Sequence, residues 1–170
     1  MAQTSSQFGS GSLAPQCLER ANIHPETGLA TDYLNHFNEV VMLLEMISAM
    51  PECIEDVVEW HPRTYEEHFK ASSFSAKDLA IEAYHTGPAH LRLALEQATA
   101  EIDGEVISLQ KLLVDESIPQ EARLLEASER TASVLHPMIM KASGIIHGKL
   151  PEGVRPAYEE AQAAVDALFD

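Results

Sequence analysis

Two stretches of this chain carry ligand-type side chains at helical spacing. Asp32, His36 and Glu39 stand at i, i+4 and i+7, and Asp78, Glu82 and His85 repeat the pattern. Residues so spaced share one face of an α-helix. Two antiparallel helices bearing these faces could point carboxylates and imidazoles at each other. Oxygen and nitrogen donors of this kind suit a transition metal: iron, manganese or zinc. These six residues are the candidate metal ligands. Helices rich in Glu and His produce the same spacing on a solvated face, and Asp78, Glu82 and His85 lie opposite Leu79 and Ala83.

Glu82-Ala83-Tyr84-His85 has the Glu-x-x-His order of carboxylate-bridged di-metal bundles. In that single element the chain resembles ferritin-like di-iron proteins. The family pattern needs two such motifs and a Glu from each of two further helices. His36-Phe37-Asn38-Glu39 has the reverse order, so the resemblance stops at one element. His36, followed by polar and acidic residues over 34–39, also resembles the acceptor of histidine phosphotransfer modules. That implies an exposed imidazole that receives and passes on a phosphoryl group. Glu129, His136 and His147 form a third stripe, with spacings of 7 and 11. Its plainer account is boundary histidines donating to nearby carbonyls. No Gly-x-Ser-x-Gly elbow is present. Cys17 and Cys53 make no CxxC motif, and Cys53 has the spacing of a core residue.

The elements that must position these residues are helical. Over 31–50, Tyr33, Leu34, Phe37, Val40, Val41 and Leu44 recur at helical spacing. Thr31 or Asp32 is the expected cap, and Pro51 the stop. The apolar density from Val40 to Ile47 predicts cover on most sides. A short helix follows over 51–60, with Ile54, Val57 and Val58 together. Thr64 and Glu67 have the spacing of a capping box. Ser75 is placed to cap a helix ending near His85.

Two long helices come next, over 88–115 and 117–148, about 42 and 48 Å if unbroken. The first has Leu91, Leu95, Ala98, Ile102, Leu109 and Leu112 at 4-3 spacing. Gly104 in its middle suggests a bend or a close crossing. The second places Leu125, Ala132, Leu135, Ile139, Ala142 and Ile146 on one face. Pro137 predicts a kink near Ser133, and Gly148 a stop. A last helix over 156–169 gathers Tyr158, Val165 and Leu168 into an apolar strip. The fold expected is all-α: an up-and-down bundle of about five to seven helices. Residues 1–28, rich in Ser, Gly and Gln, read as a mobile arm, and 29–170 as one domain.

Eleven Lys and Arg face 27 Asp and Glu, for a formal charge of -16. So acidic a surface repels phosphate backbones and anionic headgroups, which argues against nucleic-acid and membrane partners. No secretory leader pattern opens the sequence, and the cysteine usage fits a reduced, cytoplasmic setting. The expected function is a non-enzymatic module that binds a protein partner or forms a homo-oligomer such as a dimer, with the strip over 156–169 as the docking face. The alternative is a metal-binding bundle, enzymatic or not.

Overall fold

The computed structural model describes residues 7–150. Among them there is no strand. The helices are α1 (Pro15–Arg20), α2 (Asn35–Met46), α3 (Cys53–Glu59), α4 (Tyr65–Ala71), α5 (Lys77–Thr86), α6 (Ala89–Leu113), α7 (Gln120–Arg130) and α8 (His136–Ile146). α7 and α8 are joined without a break by a π-helical turn over Thr131–Leu135. The all-α bundle is as the apolar periodicity predicts. None of these helices is long and apolar enough to cross a membrane. The helix expected over 156–169, with Tyr158, Val165 and Leu168, lies outside the described residues.

Side-chain pairs fix the helix directions. Arg123 donates to the Leu113 carbonyl, Arg130 reaches Glu105 and Ser108, and Lys141 reaches Glu101. One set of numbers rises as the other falls, so α7 and α8 run antiparallel to α6. Ser48 meets Ser128 and Glu45 meets His136, so the same rod is antiparallel to α2. α6, at 25 residues, is about 37 Å long. It buries Leu91, Leu95, Ala98, Ile102, Val106, Leu109 and Leu112 along one face, as the 4-3 spacing requires. A Cβ at Gly104 would meet nothing within 4 Å. Among the described residues that glycine therefore marks no close crossing.

In α2 all six predicted apolar positions are buried, from Tyr33 to Leu44. The helix starts after a 3-10 turn over Thr31–Leu34 and ends at Met46, short of Pro51. No side chain caps it, because the 3-10 turn puts Leu34 at the N-cap, in place of the expected Thr31 or Asp32. Nor is it covered on most sides: Met42 is 62% exposed and Met46 40%.

The expected capping box is present on α4. Thr64 Oγ1 accepts from the Glu67 amide at 3.1 Å, and Glu67 Oε2 accepts from the Thr64 amide at 3.3 Å. Ser75 caps nothing; Ala76 takes the N-cap position of α5. α3 is capped from outside, since Gln110 Nε2 donates to the carbonyls of Val57 at 2.8 Å and Trp60 at 2.7 Å. The Val57 carbonyl otherwise accepts only the 3.3 Å bond from the Trp60 amide at the end of the helix.

The segment assigned to a mobile arm is docked from Gln7 onward. Leu13, Leu18 and Ile23 are buried in the common core. Apolar residues this far apart give no helical period, which is why composition alone reads as loose. The loop behind them is held by polar atoms. The Thr27 hydroxyl donates to the Ile146 carbonyl at 2.7 Å, and the Ala30 amide donates to the Tyr65 hydroxyl at 2.9 Å. Gly28, with φ +71°, lies so close to α5 that a Cβ would stand 2.8 Å from the Ala83 carbonyl oxygen.

Candidate functional site

The two candidate ligand triads do not meet. α4 supplies a partner to each. His68 Nε2 is 3.0 Å from Asp32 Oδ2, and His85 Nε2 is 3.2 Å from Glu66 Oε2. Glu39 and Asp78 are exposed, and Glu82 is half-buried. Among the described residues no three His, Cys, Asp or Glu side chains are gathered as a metal would need. The spacing puts each triad on one helix face; it cannot say which neighbour that face meets. His68 and Glu66 were the missed partners, and their signal was the capping box, which fixes the phase of α4.

His36 is 5% exposed, which is the opposite of an accessible phosphoryl acceptor. Its ring lies between Trp60, at 4.7 Å, and Tyr33, at 6.5 Å between centroids. Its Nε2 is buried without a hydrogen-bond partner among the described residues. Burial, then the positive charge of His68, Arg63 and His61, pushes the imidazole down to about 4. It is neutral at pH 7. Glu129, His136 and His147 also fail to converge. His136 pairs with Glu45 at 2.6 Å, and His147 Nδ1 is 2.8 Å from the Ser143 carbonyl oxygen.

Two concavities flank this region, and Arg63 lines both. The first is a groove of about 460 Å³ between α2 and α3. Met42, Leu43, Met46 and Trp60 give it apolar walls, and Glu39, Asp56 and Glu59 give it an acidic rim. His36 and His61 also border it.

The second is a cavity of about 350 Å³ against α6. Tyr33, Tyr65 and Tyr84 line one side, with Tyr65 and Tyr84 stacked at 4.3 Å. From α6 come Glu96, Thr99 and Asp103. The Tyr84 hydroxyl donates to Glu96 Oε1, and the Tyr33 hydroxyl donates to the Arg63 carbonyl at 2.7 Å. Asp103 Oδ1 is buried with no partner among the described residues. Burial pushes this carboxyl up to about 6. Burial, and next the negative charge of Asp103, raises the Tyr33 phenol as well. Sequence reading passed over this cavity. Its trace was legible in Glu96, Thr99 and Asp103, which stand at i, i+3 and i+7 beside the apolar face of α6.

Cavities of this size fall at the lower end of those that hold small ligands. Compared with known proteins, the chain matches no family model, no curated protein and no solved structure.

Proposed function

We propose that this chain is a non-enzymatic binding module, and that the groove between α2 and α3 docks a basic amphipathic segment of a partner protein. The observation that carries the reading is the pair Met42 and Met46, one turn apart and 62% and 40% exposed beside a rim of three carboxylates. Methionine is flexible and polarizable, so it suits a surface that adapts to an apolar helix face. A segment bearing Lys or Arg beside its apolar residues would meet Glu39, Asp56 and Glu59. A second copy of this chain is the weaker occupant, because it brings the same excess of negative charge. The segment 156–169, whose expected apolar strip is Tyr158, Val165 and Leu168, also carries Glu159, Glu160 and Asp166 and has the same drawback.

Trp60 is the only tryptophan in the sequence and stands in the groove wall. Its fluorescence therefore reports occupancy. Titration with a synthetic Leu–Lys amphipathic peptide is expected to give a saturable change that weakens with salt. Met46→Lys, at a solvent-facing position, should abolish the change and leave the fold intact. An unsaturated response, or equal binding by Met46→Lys, would remove the proposal.

A further inference from the structure

We infer that the cavity bounded by Tyr33, Tyr84, Glu96 and Asp103 is a site for a small aliphatic diamine. It is separate from the α2/α3 groove, with which it shares only Arg63.

The charges facing the cavity are unequal. Glu67, Glu96 and Asp103 contribute carboxylates, and Arg63 contributes the one cation among the lining residues. The formal excess of two negative charges matches a ligand with two ammonium groups. The carboxylates are not equally engaged. Glu67 is tied into the capping box of α4, and Glu96 accepts from Tyr84. Of the three, Asp103 alone has a buried oxygen, Oδ1, with no donor among the described residues. An unpaired buried acceptor costs free energy that an ammonium donor would recover as a charge-assisted hydrogen bond. Glu96, at an exposed position of α6, offers the second anchor at the mouth. Between them Leu95, Ala100 and Pro62 provide apolar wall, which suits methylene groups better than a hydrated metal ion.

The test is calorimetric titration of the full chain with 1,4-diaminobutane at constant ionic strength. Matched titrations use 1,4-butanediol and potassium chloride. The expected result is saturation at one diamine per chain, with no comparable heat from the diol or the salt. Asp103→Asn should weaken binding at least about tenfold, the scale of one charge-assisted hydrogen bond. Asp78→Asn, an exposed site elsewhere, makes the same change of charge and should bind as the parent does. Ala100→Phe narrows the mouth from an exposed helix position and should also block binding. Heat no greater than that of potassium chloride overturns the inference. So does an equal loss in Asp78→Asn, or full binding by both Asp103→Asn and Ala100→Phe. Met46→Lys should leave diamine binding unchanged, so this site and the peptide groove stand or fall separately.

Discussion

Trp60 holds His36 twice. Its indole N–H donates to the His36 backbone carbonyl at 3.1 Å, and its ring lies over the imidazole at 4.7 Å with an interplanar angle of 23°. The end of α3 is thereby fixed to the first turn of α2, and one wall of the binding groove is set.

Replacing that indole separates the two contacts. Trp60→Phe keeps an aromatic ring and loses the donor. It should cost about 1 kcal/mol, the usual net worth of such a hydrogen bond. Trp60→Ala also opens a cavity and should cost about 3–5 kcal/mol. Urea unfolding followed by circular dichroism measures both, since neither variant retains a tryptophan. Equal losses in the two would mean that the ring contact contributes nothing.

Acid stability should show two opposed contributions. His36 has its pKa lowered from 6.5 to about 4, so the unfolded chain takes up that proton first. Its contribution is present above pH 6.5 and lost as pH falls through 4. Asp103 has its pKa raised from 3.8 to about 6, so the native chain takes up that proton first. Its contribution is present below 3.8 and lost as pH rises through 6. The groups facing Asp103 are Tyr33, Arg63, Glu67, Tyr84 and Glu96. Allowing for solvent screening, each effect is on the order of 1–2 kcal/mol. Asp103→Asn should therefore lose more stability than the parent between pH 6 and 4, and His36→Phe less. Denaturant midpoints across that window decide it; parallel curves for all three proteins would refute both assignments.

Gln110 is expected to matter more than a half-buried amide usually does. Its side chain serves two carbonyls at the end of α3. Gln110→Ala should cost about 1–3 kcal/mol, because the Trp60 carbonyl loses its donor and the Val57 carbonyl keeps only the 3.3 Å bond from the Trp60 amide. Gln110→Glu should cost more, since it aims an acceptor at acceptors. Thermal melts above the titration range of a carboxylate make the comparison.

Two glycines should respond in opposite directions. Gly104 lies inside α6 with open space where a Cβ would stand, so Gly104→Ala should stabilise by about 0.5–1 kcal/mol. Gly28 combines φ +71° with a contact of 2.8 Å to backbone. Gly28→Ala should destabilise by about 2 kcal/mol or more. Urea midpoints that move the same way for both would contradict this account.

The helices were legible because their apolar rhythm is local. α6 follows its 4-3 spacing, and the box formed by Thr64 and Glu67 needs only four residues to be seen. Helix α7 shows where that rhythm misleads. A uniform period puts Leu125 and Ala132 in the core with Leu135; Leu135 is buried, yet Leu125 is 60% exposed and Ala132 exposed, while Ala127 and Thr131 are buried. Pro137 cannot donate a helical hydrogen bond, and the wider π turn just before it changes the phase. The expected disturbance near Ser133 is present, but as an extra residue in the turn. The six candidate ligands were readable as two faces. That Asp32 would find His68 and His85 would find Glu66 depends on where α4 packs, which no spacing encodes.

The bond from Thr27 to Ile146 joins residues 119 apart. A ribosome releases this chain from its N-terminus, so the loop around Thr27 emerges long before its acceptor exists. Until α8 has been made and folded back, the Thr27 hydroxyl lacks this acceptor, and Ile23, which borders the same concavity as Ile146, lacks part of its surroundings. Such late closure slows assembly and leaves greasy side chains uncovered in the nascent protein. The loop around Thr27 is thus made well before α8 and locks only after it.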